Sequence, residues 1–164
     1  MNVFAIVLVL ATLLCALVAG FVFAFACVAM PGLGTLNDRE FIRAFQVIDR
    51  VIQNNQPFFV LVWAGSALAL MASGVMGFGQ LEGLDRLLLL GAVVIYIGGV
   101  QAPTIAINVP LNNQLQTVGA DTADEAVLAK AREAFESPWN RWNVIRTLLA
   151  TLTSALLMVV LLRL

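Results

Sequence analysis

Four apolar runs, at about residues 3–30, 57–78, 87–110 and 142–162, constrain this chain more than any other feature. Each reaches the roughly 20 residues that an α-helix needs to cross the hydrocarbon of a bilayer. Backbone polar groups surrounded by lipid have no water to bond to, so each run must close its hydrogen bonds internally, as a helix does. With 61% apolar residues in a chain of 164, a soluble core cannot hide the surplus, and lipid must solvate part of it. The sequence therefore predicts a single all-α domain: a polytopic membrane protein built as a four-transmembrane-helix bundle.

The first run lacks the Lys or Arg of a signal-peptide n-region and outlasts a normal h-region, which marks it as a retained span. Ala16, Gly20 and Ala24 form a small-residue row in it where another helix can approach. Cys15 and Cys27 lie roughly 18 Å apart on a straight helix, too far for a disulfide with each other, and read as small hydrophobes. In the second span Gly65, Ala69, Ser73 and Gly77 make a clearer row of the same kind. Such rows serve contacts within a chain or between copies, so a homo-oligomer stays open.

Two segments between the spans are amphipathic. Met30-Pro31-Gly32-Leu33-Gly34 ends the first helix, and Asn37 with Glu40 has the form of a capping box opening a helix over about residues 37–54. Phe41, Phe45, Ile48 and Ile52 are its apolar row, and Arg39, Arg43, Gln46, Arg50 and Gln53 its polar row. Either its arginines meet lipid headgroups, or it is a lid over the bundle with Gln46 or Arg50 turned toward a ligand. Pro57 suits the first turn of the span that follows. Thr122 and Glu125 repeat the capping pattern before a second amphipathic helix, about residues 122–136, in which Arg132 and Glu136 pair at i, i+4. Ser137-Pro138 punctuates its end. Both amphipathic surface helices fall on one side of the bundle. That side holds Arg39, Arg43, Arg50, Lys130, Arg132 and Arg141, against Arg86 and Arg163 opposite, so the positive-inside rule places the long loops in the cytoplasm.

Polar residues within the spans carry the functional reading. Gln101, Thr104, Asn108 and Asn112 stand at i, i+3, i+7 and i+11, one stripe of the third span. Leaving such groups unpaired in hydrocarbon costs several kcal/mol each, so the stripe must face protein or trapped water. Pro103 and Pro110 cannot donate to the carbonyls of Gly99 and Ala106, which become further acceptors. The fourth span answers with Trp139, Trp142, Asn143 and Arg146 at i, i+3, i+4 and i+7, and Thr147 beside them. Both stripes reach the loop-rich side and predict a pocket rimmed by Asn108, Asn112, Trp139, Trp142, Asn143 and Arg146. The plainer assignments are an aromatic belt for the tryptophans, snorkelling for Arg146 and helix cross-linking for the asparagines. Histidine is absent, which excludes His-ligated haem and ordinary zinc sites. A net charge of −1 argues against nucleic acid as a partner. The lack of any ionisable residue deep in a span disfavours a transporter.

Met30-Pro31-Gly32-Leu33, the segment from Gln46 to Arg50, Asn108-Val109-Pro110-Leu111-Asn112 and the stretch from Trp139 to Thr147, in that order, resemble the anthrone oxygenase-like family of integral membrane proteins. The resemblance runs over nearly the whole chain. It implies a four-helix membrane bundle that oxidises anthrones, tricyclic phenolic ketones, to anthraquinones with dioxygen and without metal or flavin, hence with no cofactor. In that setting Asn143 and Arg146 would hydrogen-bond the substrate oxyanion, Asn112 would orient the substrate, and Trp139 and Trp142 would stack on its flat rings. Asn108, Gln101, Thr147, Gln46 and Arg50 would be further substrate contacts. Neither stripe holds an acid, so the substrate ionises unaided beside Arg146 or a base comes from a surface helix, Asp49 for example. The rival class is a non-enzymatic membrane protein that binds lipid or a quinone-like ligand, or packs against a partner.

Overall fold

The structure is a computed structural model that describes residues 2–164. Its helices are α1 (Val3–Leu33), α2 (Asp38–Gln53), α3 (Pro57–Gln80), α4 (Gly83–Gln116) and α5 (Glu125–Arg163), and no strand occurs among the described residues. α1, α3, α4 and α5 are long and apolar enough to cross a membrane. Their outer faces expose Val28, Leu61, Val75 and Leu148, a surface that lipid solvates and water would not. The chain is a multi-pass membrane protein.

Inside the bundle, α1 packs against α3 and α5, and α5 also packs against α4. Leu8, Cys15, Leu70, Leu89, Tyr96 and Leu157 fill the centre. The row on α3 works as a packing face at Gly77, where a Cβ would run into the Leu89 side chain and lie 3.2 Å from the Phe4 ring. The row on α1 does not. Gly20 and Ala24 are exposed and nothing lies near the place of a Gly20 Cβ, so no helix of this chain approaches there.

α1 and α4 carry three widened, π-helical turns: Phe25–Ala29, Ile97–Gln101 and Thr104–Asn108. Each closes on an N–H that immediately precedes a proline. Met30 donates to Phe25, Ala102 to Ile97 and Val109 to Thr104, just ahead of Pro31, Pro103 and Pro110. A proline ring presses on the carbonyl four residues back and offers it no N–H. Widening the turn moves that carbonyl aside and lets the helix continue.

On the loop side, the Asn37 side chain accepts from the Glu40 N–H at 2.9 Å and starts α2, and Pro57 stands in the first turn of α3. The segment expected as a separate surface helix at residues 122–136 is instead the first part of α5, which runs unbroken through Ser137-Pro138. Phe135 and Trp139, one turn apart across the proline, are both buried in the cluster beneath α2, which holds the turn helical despite its missing hydrogen bond. The Thr122–Glu125 cap does not form. Asp124 takes the cap position without a side-chain bond, and Glu125 pairs with Arg39 at 2.8 Å. At ~1.5 Å per residue α5 is about 58 Å long, roughly twice the ~30 Å of bilayer hydrocarbon, so its N-terminal part stands clear of the lipid.

α2 lies on that projecting part, with Phe41, Ile42 and Phe45 packed against Leu128, Phe135 and Trp139. Arg132 clasps the turn before it. It binds Asp38 at 3.0 Å, Glu136 at 2.7 Å and the carbonyls of Leu36 and Gly34, and stands 4.4 Å from the centre of the Phe41 ring. Arg39 likewise donates to the carbonyls of Ala120 and Ala123. These two arginines tie protein to protein. They are not spent on headgroups.

Candidate ligand-binding site

All five helices line one cleft at the loop-side end of the bundle. Its volume is about 280 Å³, near the lower end of the ~300–1,000 Å³ of small-molecule pockets. Phe21 and Phe25 come from α1, Phe45 from α2, Phe59 and Trp63 from α3, and Trp139 from α5. Phe59 and Trp63, one turn apart on α3, stack at 5.4 Å with 19° between their planes. Phe45 meets Trp139 edge-on at 5.5 Å. Walls of this kind offer flat faces to fused rings.

The polar groups come from α4 and α5, with one acid from α2. Arg146 is 4% exposed. It donates from Nη1 to the Thr104 hydroxyl at 2.9 Å and from Nη2 to Asn143 Oδ1 at 3.0 Å, and its guanidinium lies 5.8 Å from the Trp139 ring centre. Asn143 is fixed in turn by donating to the Val22 carbonyl at 3.0 Å. Arg146 Nε has no acceptor. Among the described residues no carboxylate pairs with this guanidinium. A buried cation without a counter-charge is costly, so its neighbours leave it available to an anion. Asn108, 2% exposed, is the mirror case. Its Nδ2 reaches only the Trp139 carbonyl, at 3.4 Å, and its Oδ1 has no donor. Two residues lining the cleft thus lack one acceptor and one donor between them, and buried polar atoms in folded proteins are seldom left so.

Asp49 lines the same cleft and is 3% exposed. Three side-chain amides donate to it: Asn112 at 2.8 Å, Gln116 at 2.9 Å and Gln53 at 2.7 Å. Asn112 also accepts from Trp139 Nε1 at 2.8 Å, so a hydrogen-bonded line runs from α2 through α4 to α5.

Of the residues singled out from sequence, the cleft brings together Asn108, Asn112, Trp139, Asn143 and Arg146, with Thr104 and Asp49. Phe45, Ile48 and Ile52 of the α2 apolar row line it too, and the remaining candidate site residues lie outside its lining. Trp142 is half-buried at the edge of its helix face; at ~100° per residue it falls about 60° to one side of Trp139, while Asn143 falls about 40° to the other. Thr147 turns back to the Asn143 carbonyl at 2.8 Å. Gln101 reaches the Trp63 carbonyl at 3.5 Å and supports the wall from below. Gln46 is consumed by the carbonyls of Leu115 and Val118, at 2.7 and 2.9 Å, and joins α2 to the end of α4. Arg50 is exposed on a separate surface groove with Arg43 and Asp121. Neither of these α2 side chains is a lid contact. The aromatic wall of Phe21, Phe25, Phe59 and Trp63 goes beyond the two stripes; its sequence signal is the pairing of Phe59 with Trp63, and of Phe21 with Phe25, at i, i+4.

A family model described as "Anthrone oxygenase" matches residues 44–156. That range takes in every polar residue of the cleft and leaves out Met30-Pro31-Gly32-Leu33. No curated protein and no solved structure matches the chain.

Proposed function

The chain belongs to the anthrone oxygenase family, and on that premise we propose that it oxidises a planar, polycyclic phenolic ketone with dioxygen, without a cofactor, in the cleft between its five helices. The observation that carries this reading is Arg146: a buried guanidinium with a free Nε, no carboxylate partner and an aromatic cavity beside it. An anthrone loses a proton from the ring carbon opposite its ketone, and the negative charge gathers on the ketone oxygen. A preorganised cation held in a site of low dielectric stabilises such a charge without having to reorganise. Asn108 Oδ1 would accept from a phenolic hydroxyl, so the missing acceptor and the missing donor are supplied by one ligand. Fused rings would lie between Trp63 and Trp139. Ionised in this way, the substrate reduces dioxygen directly, and the products are the quinone and water.

The test is quinone formation from a peri-hydroxylated anthrone by the full-length protein in lipid nanodiscs, followed by absorbance against empty nanodiscs. The wild type is expected to exceed the spontaneous rate. Asn143→Leu combined with Arg146→Leu is expected to return it to that background, because the oxyanion donor Arg146 and the Asn143 oxygen that holds it are both gone. Full activity in the double variant would sink the site. Tight quinone binding by the wild type with no turnover would favour a non-enzymatic ligand-binding protein.

A further inference from the structure

We propose that Asp49 is the base that takes the substrate's proton, an assignment that rests on the oxygenase reading for the identity of the substrate. Asp49 is a buried carboxylate lining the cleft whose hydrogen-bond partners are all neutral amides. Among the described residues no Lys or Arg pairs with it, and the neighbouring Arg43 and Arg50 face outward. Fastening α2 to α4 needs only an amide. A buried carboxylate adds to that task a desolvation cost that an amide would avoid.

The bonding pattern also says which atom acts. A carboxylate offers about four acceptor positions, two on each oxygen. Oδ2 takes two donors, Gln53 and Gln116, while Oδ1 takes one, Asn112. One position on Oδ1 stays open. Asn112 cannot flip to close it, because its own oxygen is held by Trp139 Nε1. The base and the oxyanion donor, Arg146, thus sit on different helices around one cavity, an arrangement that pulls a C–H bond apart from both ends.

Written through, Asp49 Oδ1 takes a proton from the ring methylene, and the C–H electron pair moves to the ketone oxygen beside Arg146. The carbanion gives electrons to dioxygen and forms a C–O bond. The resulting peroxide anion takes the proton back from Asp49. Asp49 then removes the second methylene proton as the O–O bond breaks, giving C=O and hydroxide, which takes that proton and leaves as water. One anthrone and one dioxygen become one anthraquinone and one water, with the carbon oxidised by the electrons that dioxygen gains.

The experiment is deuterium wash-out from the methylene of a deuterated anthrone in nanodiscs under argon, followed by NMR. It reads proton transfer with no need of oxygen. Wild type is expected to exchange well above empty nanodiscs, and Asp49→Asn and Asp49→Ala about 100-fold slower or worse, the usual range for loss of a general base. Both variants should still bind the quinone, seen as tryptophan quenching, and added formate should restore exchange in Asp49→Ala. Exchange in the variants within about threefold of wild type, on the scale where a general base contributes 100-fold or more, would overturn the assignment. So would lost quinone binding without formate rescue, which marks a structural tie, or a wild type that exchanges no faster than empty nanodiscs. Wild-type exchange that depends on Asp49 but yields no quinone in air would leave the base standing and remove the oxygenase reading.

Discussion

Arg146 touches only neutral partners, Thr104 and Asn143, and keeps Nε free. A residue kept for stability and one kept for chemistry respond oppositely to the same change. A buried charge with no counter-charge carries an uncompensated desolvation cost that an apolar side chain lacks, whereas removing one oxyanion donor lowers kcat by about 100-fold or more. Arg146→Leu is therefore expected to keep or raise the melting temperature while turnover falls by that factor. A variant that melts early and turns over normally would assign Arg146 to the scaffold. Trp139 makes a second, smaller prediction. Trp139→Phe keeps an aromatic wall against Phe45 but deletes the Nε1 bond that orients Asn112. A net hydrogen bond is worth ~0.5–1.5 kcal/mol, so KM should rise by about two- to tenfold with kcat moved less, read from initial rates.

At the scale of the helix, the prolines shape the site more than their neighbours do. Pro110 follows the widened turn Thr104–Asn108, which carries two polar cleft residues, Thr104 and Asn108, and leads to a third, Asn112. Pro110→Ala restores an N–H for the Ala106 carbonyl and removes a residue that costs a helix interior ~3 kcal/mol. The relaxed helix would turn Asn112 relative to Thr104 by as much as about 100°, one residue's worth of rotation. The expected outcome is unchanged or higher thermal stability with quinone binding at least several-fold weaker, measured on one sample by unfolding and by fluorescence titration. Element by element, what is local is legible in the sequence. Asn37 with Glu40 gives the cap of α2, and the apolar runs give the spans, because period and capping need no tertiary partner. Pro138 shows the limit: whether a proline breaks a helix depends on what locks its flanks, here Phe135 and Trp139 under α2. Half of the cleft is hidden for a similar reason. Trp63 near the end of a span looks like an interfacial belt until Phe59, Phe21 and the cavity are placed around it. Asp49 carries a signal, since Ile42, Phe45 and Asp49 fall at i, i+3 and i+7 and put an acid on a buried face.

For the whole molecule the question is how the flat, apolar substrate proposed above would reach a cleft roofed by α2. The cleft is not sealed on its lipid side: Ile105, 70% exposed, and Val109, 42% exposed, both line it, as do Ile48 of α2 and Phe59 of α3. α3 and α4 are joined at their far ends by the short turn around Leu81, but towards the cleft α4 packs chiefly on α5 and reaches α3 through Gln101 at the Trp63 carbonyl. The opening between them is hydrocarbon-lined and faces the surface that lipid covers. A polycyclic phenol concentrates in the bilayer, so entry from lipid avoids returning it to water. Filling this gap should hinder arrival without touching Arg146 or Asp49. Ile105→Trp places a bulky side chain at the rim, on an exposed position where the fold tolerates it. The expected result is a KM for membrane-dissolved substrate raised at least several-fold with kcat close to wild type, and a matching fall in the rate at which quinone quenches the cleft tryptophans. Ile105→Ala, which widens the rim, should move both the opposite way or leave them unchanged. If Ile105→Trp binds quinone from liposomes as fast as wild type, the substrate enters from the loop side, past the Arg132 clasp at the start of α2.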